Sequence, residues 1–134
     1  MTGYNTNLAA EFYVLSTLHR LGVDANLTLG NKKSVDIAVV RGTGDAITVD
    51  VKGLAKATGF PIDNVKPGTP RHYLVFVCYM GTIGEPTVPP RSWIVPSTEL
   101  EPFIYNAPGG RRLVGAGTLR DKALRYLEAW HLIT

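Results

Sequence analysis

Two runs near the middle of the chain place an apolar residue at every second position. Val35, Ile37 and Val39 alternate with Asp36, Ala38 and Val40, and Ile47, Val49 and Val51 alternate with Thr48, Asp50 and Lys52. That alternation predicts two strands, each with one face in a core. β-branched residues on the apolar side fit a pleated, half-buried surface. Gly42-Thr43-Gly44 between the runs predicts a hairpin turn. If the hairpin closes symmetrically about Thr43, Asp36 lies opposite Asp50, with Cβ atoms ~5 Å apart. Two carboxylates so close repel and call for a cation between them. Lys52 points to the same face as Asp50.

The flanking pattern predicts the other elements. Asn5, Thr6 and Asn7 offer N-cap side chains and Gly22 offers a stop, so a helix lies between them. Leu8, Leu15 and Leu18 form its apolar stripe, with Glu11 in the middle and Phe12 beside it. A carboxylate on a buried face must be paired or bind metal, or else lie at the stripe's edge. Residues 23–29 alternate as a first strand, and Gly30-Asn31-Lys32-Lys33 is a turn. Residues 53–71 are a long connection with Lys56, Lys66 and Arg71, read either as a loop that closes over a substrate or as a plain crossover with a short helix in it. His72–Tyr79 has almost no polar alternation and predicts a central strand covered on both faces. Residues 92–96 predict a short strand. Thr98 with Glu101 and Thr118 with Asp121 have capping-box spacing, so two further helices are expected. The last of them carries Leu119, Ala123, Leu127 and Trp130 on one stripe. Between them lies a glycine-rich stretch with Arg111-Arg112.

The ordered set of Asp36, then Asp50-Val51-Lys52 on the next strand, with Glu11 on the preceding helix, resembles the PD-(D/E)xK nuclease superfamily. That superfamily includes restriction endonucleases and Holliday-junction resolvases. The resemblance spans roughly residues 7–96. Val35 stands where the superfamily usually has proline, and Asp50 where it more often has glutamate. The resemblance implies a restriction endonuclease-like α/β fold, a mixed central sheet of four to five strands flanked by helices. It also implies a metal-dependent endonuclease acting on DNA, with branched or structured DNA as one substrate class. Glu11, Asp36, Asp50 and Lys52 are then the catalytic set. Asp36, Asp50, the Val51 carbonyl and Glu11 would hold Mg²⁺, with Mn²⁺ as a substitute. Mg²⁺ prefers oxygen ligands and takes one or two carboxylates. Lys52 would orient the attacking water or stabilise charge on the phosphate. Lys56, Lys66, Arg71, Arg111 and Arg112 are the expected nucleic-acid contacts. The alternative is a nuclease-like module that binds nucleic acid or protein without cutting, and a plain salt-bridged sheet face is the bland one.

Composition changes this picture little. The 134 residues fit a single domain, 1–134, with a substantial core. The net charge of +3 is a mild hint of a polyanionic partner. Its distribution is more telling: five acids meet four bases in residues 1–51, whereas residues 52–91 and 111–134 are each net basic. The single cysteine, Cys78, excludes an internal disulfide and fits a reducing compartment. No signal pattern or membrane-length apolar run is present, so a cytoplasmic protein without membrane contact is expected. His19, His72 and His131 lack zinc-site spacing, and no P-loop or G-x-S-x-G motif occurs. Cutting both strands of a duplex takes two active centres, so a homodimer is expected, with the last helix and Trp130 as interface material.

Overall fold

The computed structural model describes residues 5–28 and 36–134. The Gly30–Lys33 turn, Val35 and the far end of the first predicted strand lie outside the described residues. The first helix, α1 (Thr6–Arg20), ends where Gly22 adopts φ +79°. Its buried stripe is Ala10, Val14 and Leu18; of the expected leucines Leu18 is buried and Leu15 partly so, while Leu8 and Phe12 are exposed. The cause is close packing. A Cβ on Gly53 would sit 2.9 Å from the Ala10 Cβ and 3.0 Å from the Thr6 carbonyl. Only small residues on both sides let the helix lie this near the sheet. The N-cap residue is Asn5, and its side chain makes no capping bond. The Asn7 side chain instead accepts the Gly53 N–H at 3.3 Å, fastening α1 to the strand below.

The chain continues through β1 (Asp24–Leu27), β2 (Ile37–Val40) and β3 (Ala46–Leu54). β2 and β3 form the predicted hairpin, with Ile37 opposite Val49 and Val39 opposite Ile47. Gly44, at φ +91°, and the Arg41–Asp45 ion pair close its turn. The 53–71 connection is not a structureless loop. It holds β4 (Gly59–Pro61) and crosses to β5 (His72–Cys78), which runs parallel to β3. A parallel pair needs such a crossover. β6 (Arg91–Pro96) follows. The main sheet has the order β1-β2-β3-β5-β6, antiparallel except at β3–β5.

The later segments depart most from expectation. The Thr98–Glu101 helix is absent: two 3₁₀ turns, Ser97–Glu99 and Glu101–Phe103, stand there without a capping bond. Pro102 lacks an N–H, and its ring would collide with the carbonyl four residues back. β7 (Ile104–Asn106) and β8 (Arg112–Gly115) then join β4 in a second sheet of order β4-β8-β7. The helix expected from Thr118 is α2 (Ala116–Lys122), which starts earlier and stops at Ala123. Beyond it the chain runs along the β6 edge, with Leu127 bridged to Trp93 and the Glu128 N–H bonded to the Ser92 carbonyl. An open strand edge is thereby covered.

Odd-numbered residues of β3 face α1, where Ala10, Val14 and Leu18 pack with Ile37, Val49, Val51 and Val75. The other face packs Leu74, Phe76 and Trp93 against Phe60, Val114 and Leu119 of the second sheet and α2. Leu119 and Ala123 are buried there, while Trp130 packs edge-on against Tyr13 at 6.4 Å. Trp130 is half-buried by this contact, and part of its surface stays open. Among the described residues no helix is long and apolar enough to cross a membrane.

Candidate active site

β2 begins beside the middle of β3, and the pairing at that end is irregular. Ile37 faces Val49, yet the Asp36 N–H also reaches the Val49 carbonyl, at 2.8 Å. This one-residue step resembles a β-bulge, a device that re-aims a side chain. The Asp36 carboxylate turns along the edge of β3, and its Oδ2 accepts the Val51 N–H at 2.7 Å. The Val51 carbonyl faces the same edge, because a residue in an antiparallel ladder directs both backbone groups to one side.

Asp50, Lys52 and Asp36 meet at the floor of a cleft of about 690 Å³, and Glu11 and Asn7 of α1 form one wall. The opposite wall is the segment after β4, with Asp63 and Asn64. The Lys52 Nζ lies 3.7 Å from Asp50 Oδ2 and donates to the Asn64 Oδ1 at 3.2 Å. Asp50 is 2% exposed. Its Oδ2 is buried and finds no hydrogen-bond partner among the described residues, since Lys52 stands within ion-pair range but beyond bonding distance.

The electrostatics follow from this crowding. Burial raises the Asp50 pKa to about 7; Lys52 opposes the rise and the Asp36 carboxylate adds to it. Glu11 is raised too, by burial first and by Asp36 second. His72 lies beside β3 on the carboxylate face, its Nδ1 sharing a 2.7 Å hydrogen bond with Thr48 Oγ1. Burial lowers its pKa against the pull of Asp36.

A divalent cation fits this donor set. Two carboxylates and a backbone carbonyl are oxygen donors of the kind Mg²⁺ takes, with water completing the shell. The orphaned Asp50 oxygen supplies the unmet demand for positive charge. No group of three or more His, Cys, Asp or Glu side chains among the described residues forms a metal cage by itself. Glu11 is near enough to Asp36 for that carboxylate to raise its pKa, but does not complete a three-carboxylate cage with the pair.

The expected nucleic-acid contacts are scattered. Lys56 and Lys66 are exposed on the crossover. Arg71 is exposed beside the start of β3, its carbonyl accepting the Thr48 N–H. That is four residues from Lys52, ~13 Å along a strand. Arg111 pairs with Asp63 at 2.8 Å. Arg112 donates to the carbonyls of Ile62, Asp63 and Val65. Its guanidinium thus pins the cleft wall that carries Asn64.

The sequence matches no protein-family model and no curated protein. Among solved structures, the chain is similar to that of a bacterial homing endonuclease. The TM-score is 0.57, the likeness covers 95% of this chain and 88% of the other, and sequence identity is 17%. The chain has a nuclease-like fold. At this identity the likeness concerns architecture: a mixed five-stranded sheet with helices.

Within that nuclease-like fold, periodicity had no means of finding Asn64, Asp63 or Asn7 at the site, or His72 on the sheet face beside it. Asn64 arrives through the long-range pairing of β4 with β8, and His72 through the parallel register of β5 on β3. The Asp63-Asn64 dipeptide within a proline-rich crossover was the one local signal.

Proposed function

We propose that the chain is a metal-dependent DNA endonuclease of the PD-(D/E)xK kind. The observation that carries this reading is the Asp50 carboxylate, buried beside Asp36 on the floor of an open cleft with an oxygen that accepts no hydrogen bond among the described residues and has only the Lys52 ammonium at ion-pair range. Asp36, Asp50 and the Val51 carbonyl would hold Mg²⁺ or Mn²⁺. Such a cation would lower the pKa of a bound water toward neutrality and offset phosphate charge. Lys52, steadied by Asn64, donates to a phosphate oxygen and stabilises the charge that grows there in the transition state. Glu11 orients a water on the α1 side. The similarity to an endonuclease structure supports DNA as substrate class, and branched DNA is one form of it. A homodimer, presenting two clefts to the two strands, completes the proposal.

The test is incubation of supercoiled plasmid and branched DNA with the purified protein, with and without Mg²⁺ or Mn²⁺. Metal-dependent nicking or linearisation, abolished by Asp50→Asn, is the expected result. Absence of cleavage across metals and DNA forms, with binding retained, would transfer the chain to the non-cutting alternative. Sedimentation showing only monomer with and without DNA would remove the dimer.

A further inference from the structure

A second, smaller pocket of about 70 Å³ opens at the rim where β3, β5 and β6 end. Ala57, Met80, Arg91, Trp93 and Arg120 line it. The polar side chains among these residues, Arg91, Trp93 and Arg120, are all donors. The Arg91 side chain has no hydrogen bond or ion pair among the described residues, and the residue is exposed. Trp93 is 2% exposed, and its indole Nε1–H is buried without an acceptor. Arg120 reaches toward Gly117, and its partner is the adjacent carboxylate of Asp121 in an exposed pair. A buried N–H left unpaired is costly, and an oxygen-rich ligand would satisfy it. Guanidinium and indole groups carry no acceptor, so the complementary ligand is an anion with several acceptor oxygens. The space holds one phosphate-sized group and no base.

We infer that this pocket is a subsite for a backbone phosphate of the DNA strand being cut, an assignment that rests on the endonuclease reading. Register sets the distance. Lys52 faces Phe76, and Phe76 faces Trp93, so the three form one row across the sheet on the same face. Two strand spacings make ~10 Å. A DNA strand carries one phosphate per ~3.4 Å of helix axis. Phe76, in the middle of that row, is fully buried beneath Phe60, so a strand with its scissile phosphate at Lys52 reaches the pocket over the crossover, along a path longer than this spacing and several nucleotides in length. The chain between the two pockets, residues 55–58, carries the exposed Lys56 along that path.

The experiment measures binding of fluorescent duplex DNA by anisotropy over a range of salt, on an Asp50→Asn background to prevent cutting. Arg91→Gln is expected to weaken binding about tenfold, the scale of one charge-assisted hydrogen bond. It should also lower the slope of log K against log salt by ~0.9, the share of one neutralised phosphate. Arg91→Lys should restore the slope, and Arg120→Gln should act in the same direction as Arg91→Gln. Arg125→Gln, a control on an exposed pair with Glu99, should leave both unchanged. With Asp50 intact, Arg91→Gln should raise KM more than it lowers kcat. Unchanged slopes in the Arg91 and Arg120 variants, in a protein that cleaves DNA, would overturn the subsite and leave the endonuclease reading standing. Inorganic phosphate that quenches Trp93 fluorescence, together with unchanged DNA slopes, would make the pocket a small-anion site and overturn its DNA assignment. A protein that neither binds nor cuts DNA would overturn both.

Discussion

Asp50 is where the folded chain stores most electrostatic tension. Its pKa stands near 7 in the folded protein against 3.8 for the free side chain. A carboxyl whose pKa rises on folding stabilises the fold at low pH, fully so below 3.8, and that contribution is lost as pH climbs through 7. Thermal stability should therefore fall between about pH 4 and pH 8, by ~2–4 kcal/mol if this group acts alone. Asp50→Asn cannot ionise, so its melting temperature should stay flatter across that range and exceed the wild type's at pH 8. Mn²⁺ should raise the wild-type melting temperature at pH 8 and leave the variant unmoved, with ~2.7 kcal/mol gained at a hundredfold excess over Kd. Parallel pH profiles for the two proteins, or equal metal responses, would contradict this account of the site. Lys52 acts differently, because its ammonium serves the phosphate and not the metal. Lys52→Ala should keep or tighten Mn²⁺ binding while cleavage falls ~10²-fold or more. Asn64→Ala, which frees the Lys52 Nζ from its 3.2 Å acceptor, should lower kcat by a smaller factor with KM little changed. Equal losses of metal affinity in Lys52→Ala and Asp50→Asn would assign Lys52 to the metal site itself.

The elements differ in how far they could be read from the chain. The β2–β3 hairpin, the α1 helix and β5 were legible because each buries a continuous face, and alternation or a run of apolar residues records that directly. The register about Thr43 was legible too, since a one-residue slip would turn every apolar side chain of the hairpin outward. β4, β7 and β8 left no such trace. They are three or four residues long, lie among glycines and prolines, and exist through pairings distant in sequence. The wall of the cleft that they build was illegible for the same reason. Gly53 is a third case: its residue type was visible, but its purpose lies in the approach of another element. Gly53→Ala should force α1 away by a few tenths of an ångström against Ala10 and the Thr6 carbonyl. Overpacking of this kind costs ~1–3 kcal/mol. Because α1 carries Glu11 and Asn7 into the cleft, cleavage should drop as well, while Asp36 and Asp50 on the sheet keep their metal affinity. Unaltered melting temperature and activity in Gly53→Ala would mean that the helix is held less closely than the packing indicates.

At the scale of the molecule, folding sorts the charges that the sequence leaves in blocks. Glu11, Asp36 and Asp50 converge on one cleft, whereas Asp24 and Asp45 lie elsewhere, and Lys52 is the one basic residue lining it among the described residues. The basic groups of the crossover and the later segments are not equivalent. Lys56, Lys66 and Arg71 have no ion pair among the described residues and are exposed, so their charges are available to a polyanion. Arg112 is spent on three backbone carbonyls and holds the Asn64 wall in place. Two kinds of defect should follow. Replacing Lys56 and Lys66 with alanine should weaken DNA binding at all sequences, with the melting temperature nearly unchanged. The salt dependence should flatten by ~0.9 for each phosphate no longer neutralised. Arg112→Ala should instead lower the melting temperature, because three backbone carbonyls, two of them in part-buried bonds, lose a charged donor, each such bond being worth ~1.5–3 kcal/mol before compensation by water. Its salt slope should stay near the wild-type value, and its cleavage should fall through the displaced Asn64 and Lys52. Arg71 is the informative case. It sits ~13 Å from Lys52 along β3, within a Debye length or two of the cleft at physiological salt. If the strand path runs along the sheet past Thr48, Arg71→Ala should flatten the slope as the lysines do. If the path instead leaves the cleft over residues 55–58 toward Arg91, Arg71→Ala should leave the slope intact while Lys56→Ala does not. Anisotropy titrations of the single variants at several salt concentrations, on the Asp50→Asn background, separate the two paths. A slope insensitive to Lys56, Lys66, Arg71 and Arg91 alike would move the DNA-binding face off this side of the sheet.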